Sequence, residues 1–193
     1  GRTDEDTPLS VPRTLGVLSN DTDLDGDSLT VAAVNGSAAN VGTVVHGTYG
    51  DLTLFSNGSY LYTPTQNAQR LDDGESAVDV FTYLPSDGSP EATASTTLTI
   101  IVDGRNDLVD TTPDTDTVAE GATETGNVLD NDTDIDGETL TVTHITDGTL
   151  DDSVATGDPG SLSNAFGTLV IGPDGEYSFT ANGPASDALD DGE

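Results

Sequence analysis

A long internal repeat limits this chain to few architectures. The twelve residues Asn20–Val31, NDTDLDGDSLTV, return 111 positions later as NDTDIDGETLTV at Asn131–Val142, and nine of the twelve letters are identical. A second segment, YGDLTLFSNGSYLYT at Tyr49–Thr63, matches FGTLVIGPDGEYSFT at Phe166–Thr180 with an offset of 117. This spacing suits a sandwich module of ~100 residues, whereas solenoid repeats are ~20 to 50 residues long. The 193-residue chain therefore predicts two related modules.

The apolar residues follow the alternation of β-strands. Five segments rich in β-branched and aromatic residues are separated by Gly, Asn, Asp and Pro: SLTVAAV, DLTLF, SYLYT, DVFTY and TTLTIIV. Such segments are typical of short strands joined by tight turns. Asn57-Gly58, with Asp174-Gly175 at the same place in the second copy, predicts a hairpin with a type I′ turn. No window shows a convincing helical period, so we expect an all-β fold of tandem antiparallel β-sandwiches.

The boundary between the modules is predicted near Asn106, within the segment VDGRNDLVD. Module 1 then occupies residues 1–106 and lacks its first strand, while module 2 occupies residues 107–193 and ends at a second copy of LDDGE. Module 2 has no counterpart of the closing strands in Ser76–Asn106. We therefore expect a segment of a longer repeat protein, with module 2 completed by downstream residues or by strands of a neighbouring subunit in a fibre.

The composition excludes several classes of function. Acidic residues number 36 against four basic ones, all arginine, and the formal net charge is -32. Nucleic acid is excluded as a partner, because phosphate binding needs a basic face. The absence of cysteine excludes disulfides and zinc-thiolate sites, and no apolar stretch approaches the ~20 residues that span a bilayer. We expect a folded chain whose electrostatic strain is offset by a bound cation.

Each copy of the repeat places three aspartates at alternate positions and closes them with a glycine. This pattern matches the start of a D-x-D-x-D-G calcium loop. Calcium takes about six to eight oxygen ligands, so the chain must curl around the ion, and glycine permits the left-handed turn that this requires. The predicted calcium ligands are Asp21, Asp23, Asp25 and Asp27 in module 1 and Asp132, Asp134, Asp136 and Glu138 in module 2, with Asp87 and Asp107 as more distant candidates.

The aspartates have an alternative interpretation as Asx-turns, in which the side chains accept hydrogen bonds from nearby backbone N–H groups. The loops also differ from an EF-hand, because the twelfth position is Ala32 in one copy and Thr143 in the other. Calcium is favoured for both loops, since clustered carboxylates repel one another without a cation. For Asp87 the sequence SDG favours an ordinary turn, and for Asp107 both interpretations stay open.

Four segments together resemble a known family: VLxNDxDxDGDxLTV, YGxLTLxxNGSYxYT, LDDGES…DVFTYxxSDG and ATxTLTIxVxGxND. They are similar to the VCBS and cadherin-like repeats of very large secreted bacterial adhesins, including those that carry RTX exports. The resemblance covers module 1 from Asp4 to Asp107 and module 2 to its end, and departs at NDLV, where the family often has Asn-Asp-Ala-Pro. It implies an Ig/cadherin-like sandwich that depends on calcium and is displayed outside the cell beside neighbouring repeat modules.

These features predict a calcium-stabilised extracellular structural repeat, an extender, of a bacterial surface adhesin or fibre, and not an enzyme. The alternative is a carbohydrate- or surface-binding module. Sugar sites usually present exposed aromatic rings, but the chain has no Trp and its tyrosines fall mainly at inward strand positions. His46 and His144 occupy unrelated repeat positions, and no Ser-His-Asp arrangement is evident, so both are predicted to be surface residues.

Overall fold

The computed structural model describes residues 1–89 and 94–188 and divides into two compact units. Unit 1 comprises Gly1–Asp107, and unit 2 begins at Leu108. The predicted limits of the modules stay predictions. The second LDDGE segment, at residues 189–193, lies outside the described residues.

Unit 1 is built from two four-stranded sheets. Its strands are β1 (Arg2–Asp4), β2 (Leu9–Val11), β3 (Thr30–Val34), β4 (Val44–His46), β5 (Gly50–Leu54), β6 (Tyr60–Pro64), β7 (Ser76–Ser86) and β8 (Thr96–Asp103), with short 3₁₀ helices at Ala38–Asn40 and Ala68–Arg70. The sheet orders are β1-β8-β7-β3 and β2-β6-β5-β4. All neighbours are antiparallel except β1 and β8, which are parallel. β1 and β2 supply an amino-terminal strand to each sheet, and the expectation that module 1 lacks its first strand stays a prediction.

The two sheets of unit 1 face each other across one hydrophobic core. Strand alternation places Phe81 inward with 2% of its surface exposed, while the adjacent Val80 points outward with 57% exposed. The rings of Tyr62 and Phe81, one from each sheet, meet edge to face with centroids 6.4 Å apart. Residues of both sheets belong to the same buried cluster. The predicted β-sandwich is confirmed.

A buried carboxylate joins the two sheets. Asp79 of β7 is 4% exposed, and its Oδ2 accepts a 2.7 Å hydrogen bond from the Tyr62 hydroxyl of β6. Its oxygens also accept hydrogen bonds from the backbone N–H groups of Thr48, Tyr49 and Gly50, at 2.8, 3.1 and 3.0 Å. Four donors thus satisfy a charge that burial would otherwise make costly. No sequence motif indicates this role for Asp79.

Unit 2 repeats one of these sheets. Its strands are β9 (Thr123–Asn127), β10 (His144–Thr146), β11 (Asp151–Ser153), β12 (Gly160–Ser163), β13 (Thr168–Ile171) and β14 (Glu176–Thr180), followed by a 3₁₀ helix at Ser186–Ala188. The order β12-β13-β14-β9 corresponds to β4-β5-β6-β2 of unit 1, and β10 pairs with β11 in a separate ribbon. Both units are therefore almost entirely β, as expected.

The inner face of the β12-β13-β14-β9 sheet is less buried than that of the corresponding sheet in unit 1. Phe179 of β14 occupies the position of Tyr62, but it is half-buried, whereas Tyr62 is fully buried. In unit 1 the covering layer is the β1-β8-β7-β3 sheet. Within residues 108–188 no second four-stranded sheet is present. The difference in burial follows from this missing layer.

Unit 2 also closes its turn without a buried aspartate. Asn164, at the position of Gly47 in the repeat, accepts hydrogen bonds through Oδ1 from the N–H groups of Phe166 and Gly167, at 2.9 and 3.2 Å. In unit 1 the equivalent N–H groups bind Asp79, and a Cβ on Gly47 would lie 2.4 Å from Asp79 Oδ2. A local amide in unit 2 thus replaces a carboxylate that unit 1 takes from a distant strand.

The predicted β5–β6 hairpin is present, but its turn type differs from the prediction. Gly58 has a φ of 83°, whereas Asn57 has no positive φ, so the turn is not type I′. The Gly58 N–H donates to the Phe55 carbonyl at 2.9 Å, and the Phe55 N–H donates to Ser59 at 2.9 Å. These bonds define a three-residue loop with glycine at the left-handed position, the next commonest hairpin connection.

Candidate functional site

The aspartate loop of unit 1 lies just before β3 and is curled by one carboxylate. Oδ1 of Asp23 accepts hydrogen bonds from the backbone N–H groups of Asp25 and Asp27, at 2.9 and 3.1 Å. Gly26 between them has a φ of 83°, the left-handed conformation that the sequence predicted. The loop therefore contains the Asx-type turn of the alternative interpretation. This turn also brings the aspartates onto one short curve of backbone.

Asp21 is tied to the sandwich through a tyrosine. The Tyr83 hydroxyl lies 3.2 Å from Asp21 Oδ2 and 3.0 Å from the Val17 carbonyl oxygen. Tyr83 belongs to β7 and is buried in the core, so its hydroxyl links the aspartate loop to the sandwich. Sequence alternation had placed Tyr83 inward, but the repeat gave no sign of its contact with Asp21.

Two neighbouring cavities collect the predicted ligands of unit 1. Asp21, Asp23 and Asp87 line a cavity of about 270 Å³, where Asp87 follows the end of β7. Asp21, Asp23 and Asp27 line a second cavity of about 530 Å³, which also contains Arg13. The structure thus brings Asp87 to the loop even though Asp87 lies 66 residues after Asp21 and 60 after Asp27 in the sequence. Asp25 is exposed on the loop surface.

Asp87 also forms the turn that its sequence suggested. Its Oδ1 accepts a hydrogen bond from the Ser89 N–H at 2.8 Å, and this bond lowers the pKa of Asp87. The carboxylate therefore stays ionised at neutral pH beside the loop. Asp87 therefore both forms the turn and adds a negative charge to the cavity.

Asp107 lies away from this group. It follows β8, whose Thr96 pairs with Tyr83 near the loop and whose Asp103 pairs with Ser76 at the other end. Eight strand residues span ~23 Å at ~3.3 Å per residue. Asp107 is therefore at the opposite end of unit 1 from Asp21 and does not join the other candidates there.

The loop of unit 2 has the same internal hydrogen bond. Oδ1 of Asp134 accepts from the Asp136 N–H at 2.9 Å, matching the bond between Asp23 and Asp25. Oδ1 of Asp132 accepts from the Thr112 N–H at 2.7 Å. Asp132, Asp134 and Asp136 are half-buried, Glu138 is exposed, and both Asp136 and Glu138 take part in further interactions.

The segment that opens unit 2 lies directly on this loop. Asp110 and Thr133 exchange two backbone hydrogen bonds, of 2.8 and 3.0 Å, and Thr112 adds the bond to Asp132. The residues after the predicted boundary are thus held by the aspartate loop. Sequence reasoning missed Asp110 and Thr112, because both lie outside the alternating aspartate pattern.

The oxygen donors of the loops suit calcium, but their carboxylates are too far apart in this structure to hold one ion together. All predicted ligands offer oxygen, which hard divalent cations prefer. Within residues 1–89 and 94–188, no group of three His, Cys, Asp or Glu side chains is close enough to hold a metal ion. The loops would therefore have to draw their carboxylates together on binding.

The tyrosines of unit 1 predict instability at alkaline pH. Burial, followed by the charge and hydrogen bond of Asp21, raises the pKa of Tyr83 to about 12, and burial also raises the pKa of Tyr62. An unfolded tyrosine titrates near ~10. The folded state thus holds these protons more tightly, so the stabilisation is complete below about pH 10 and is lost as the pH rises towards 12.

We therefore expect the melting temperature to fall steeply above about pH 10, with tyrosine ionisation following unfolding. A pH series of melting curves, read together with tyrosinate absorbance, measures this. Tyr83→Phe removes the group and should reduce the alkaline loss. Ionisation of every tyrosine near pH 10 without a change in melting temperature would contradict the expectation.

Comparison with known protein families supports the β-sandwich fold. A family model described as bacterial cadherin-like domain matches residues 1–104. The chain belongs to the bacterial cadherin-like domain family. The match covers unit 1 almost completely, including both sheets and the aspartate loop. No curated protein matches the chain.

Membership of the cadherin-like family indicates the general role of the chain. It indicates an extracellular repeat with a structural or adhesive role, and cadherin-like sandwiches are typically non-catalytic. Domains of this family are usually extracellular. In the part of the cadherin-like chain that the structure describes, no helix is long and apolar enough to cross a membrane.

Proposed function

We propose that the chain is a calcium-stabilised extender from a large extracellular bacterial adhesin or fibre, of the VCBS type found with RTX exports. One observation carries the proposal: two units of one chain repeat the same strand order and the same aspartate loop. Repetition of one module adds length and spacing along the chain. The proposed partners are neighbouring repeat modules of the same protein, and strand exchange between subunits of a fibre would cover the half-covered sheet of unit 2.

Calcium is proposed because of charge and donor type. A net charge of -32 on 193 residues strains the folded state, and divalent cations at the loops would relieve it. Asp21, Asp23, Asp27 and Asp87 line two adjacent cavities that share Asp21 and Asp23, so closure of the loop would be needed to bring their oxygens to one ion. Asp132, Asp134, Asp136 and Glu138 would serve unit 2. A bound ion would supply only neutralisation and stiffening, not chemistry.

Calcium is expected to raise the stability of both units, and chelation to remove the gain. An ion at 100 times its dissociation constant adds ~2.7 kcal/mol to the free energy of unfolding. Melting curves and urea unfolding of the full chain, with calcium, magnesium or excess chelator at matched ionic strength, measure the effect. Magnesium should stabilise less, because it demands a smaller octahedral shell. Equal effects of both ions, or no effect of chelation, would reject the calcium proposal.

The variant Asp23→Asn separates the two roles of the loop. An asparagine Oδ1 still accepts hydrogen bonds from residues 25 and 27, so the turn survives while the ligand charge is lost. We expect unchanged stability in chelator and a reduced response of unit 1 to calcium. Asp134→Asn should do the same in unit 2 only. Asp73→Asn, which removes the same charge from an exposed turn, is the matched control.

The alternative of a carbohydrate-binding module receives less support from the geometry. Tyr60, Tyr62 and Tyr83 are buried in the core, with 6, 0 and 4% of their surfaces exposed. Rings in this state cannot stack on a sugar. The cadherin-like family and the repeat instead favour a structural role.

A further inference from the structure

The first and last strands of unit 1 lie side by side and point the same way. β1 pairs in parallel with β8, in the register Arg2↔Ile101, Thr3↔Val102 and Asp4↔Asp103. The chain thus enters unit 1 at one end of this pair and leaves it at the other. Tension between entry and exit would pull β1 backwards and β8 forwards along their common direction.

That geometry loads the hydrogen bonds in shear. Parallel strands have evenly spaced bonds across the pair, so sliding one strand strains all of them together. The Ile101 N–H donates to the Gly1 carbonyl at 3.0 Å, and the Glu5 N–H donates to the Asp103 carbonyl at 3.0 Å, which brackets the pair at both ends. An antiparallel pair would place entry and exit at one end, where bonds break singly.

Side chains reinforce the pair along the pulling direction. Arg2 contacts both carboxylate oxygens of Asp103, with Nε–Oδ2 and Nη2–Oδ1 distances of 2.6 and 2.7 Å. Arg2 is opposite Ile101, so this bidentate contact reaches two residues forward along β8. Moving β1 backwards lengthens it directly. Bidentate Arg–carboxylate pairs are the strong and geometrically specific form of ion pair.

A second set of contacts ties the segments that follow the two strands. The backbone N–H of Arg105 donates to Oε1 of Glu5 at 2.6 Å, and Glu5 is only 3% exposed. The Arg105 guanidinium lies 3.8 Å from Asp4 Oδ2. Arg2 and Arg105 are two of only four cationic Lys or Arg residues in the chain. Two of the four arginines thus lie between the first and last strands of unit 1.

We propose that β1, β8, Arg2 and Arg105 form a tension-bearing latch that lets unit 1 resist force applied along the chain. This role deepens the proposed function and rests on it, because an extender in an adhesin or fibre carries load between its ends. The latch acts as one shear unit: backbone bonds hold the strands, and the arginines oppose their sliding. Resistance to force comes from its orientation and not from the overall stability of the core.

Single-molecule force spectroscopy of the full chain tests the latch. The chain has no cysteine, so single cysteines give defined attachment points. Handles at the amino terminus and at Leu108→Cys load β1 against β8 in shear. Handles at Asp73→Cys and Leu108→Cys peel β7 from β8, because Ser76 pairs with Asp103 beside the exit. We expect a clearly higher unfolding force in the first geometry than in the second.

Charge variants identify the side chains that bear the load. Arg2→Gln is expected to raise the unfolding rate under constant shear force by about fivefold. Arg70→Gln, with the same loss of charge on an exposed arginine outside the latch, should change it little. The melting temperature of each variant at zero force shows whether folding itself is affected.

The outcomes separate the latch from the function on which it rests. Equal unfolding forces in the two geometries, together with an unchanged rate for Arg2→Gln, would overturn the latch. Calcium-dependent melting would still support the extender in that case. Shear resistance without any response to calcium would instead support the latch and reject the calcium proposal.

Discussion

Replacing Asp79 by alanine is expected to lower the free energy of unfolding of unit 1 by about 3 to 5 kcal/mol. The substitution leaves the N–H groups of residues 48 to 50 and the Tyr62 hydroxyl without their acceptor in a buried site. Each buried donor left unsatisfied costs ~1 to 3 kcal/mol, and entry of water reduces the total. Asp79→Ala should therefore lower the free energy of unfolding more than the same substitution at any exposed aspartate.

Urea unfolding of the full chain, followed by amide signals in each unit, measures this effect. Unit 1 should unfold at lower urea while unit 2 is unchanged. Asp73→Ala removes an exposed carboxylate and is expected to change stability by less than ~0.5 kcal/mol. A loss for Asp79→Ala as small as that of Asp73→Ala would show that the buried hydrogen bonds contribute little.

Phe81→Ala is expected to cost unit 1 about 3 to 5 kcal/mol, the usual range for truncating a buried aromatic side chain. Phe81 is 2% exposed and packs edge to face on Tyr62 across the sandwich. Its removal therefore opens a cavity between the two sheets and takes away one wall of the core. Closely packed neighbours can fill only part of that space.

The adjacent residue provides a matched control. Val80→Ala truncates a side chain on the same strand, but on the outer face with 57% of its surface exposed. It should cost less than ~1 kcal/mol. The same unfolding experiment compares the two variants. Similar losses for both would mean that β7 is not covered on one face only, which contradicts the sandwich.

The alternation of apolar residues was enough to predict most of unit 1. All five predicted segments are strands, because each alternates towards a sheet that is present to receive it. The short strands β1, β2 and β4 were missed, since three residues carry too little alternation to be distinguished from loops. The hairpin at Asn57 was predicted, but its turn type depends on backbone angles that the sequence does not determine.

The repeat also shows why local sequence is insufficient. The segment LTV ends both aspartate loops, yet Thr30–Val34 forms β3 in unit 1, while residues 139–142 form no strand in unit 2. β3 is a strand because β7 lies beside it. No such partner occurs in residues 108–188, although Val142 keeps the hydrogen bond that Val31 makes to the opposite turn, at 3.0 and 2.8 Å.

The loops were predicted more completely than the contacts that hold them. Alternating aspartates and glycine predicted the curled backbone, and the left-handed glycines are present in both units. Asp79 and Tyr83 were missed as polar partners because their roles arise between distant strands. Asp87 was predicted only as a distant candidate ligand, because spacing along the chain cannot reveal that the end of β7 lies beside the loop.

The contrast between Asp79 and Asn164 has a consequence for folding during synthesis. Adjacent domains of similar sequence can form hybrids in which a strand from one docks in the other. A β7 strand that strayed onto the unit 2 sheet would bury its carboxylate against Phe179, which has no hydroxyl, and against N–H groups already bonded to Asn164. An unsatisfied buried charge is costly enough to reject that arrangement. One buried aspartate thus disfavours docking of β7 on the sheet of the other repeat.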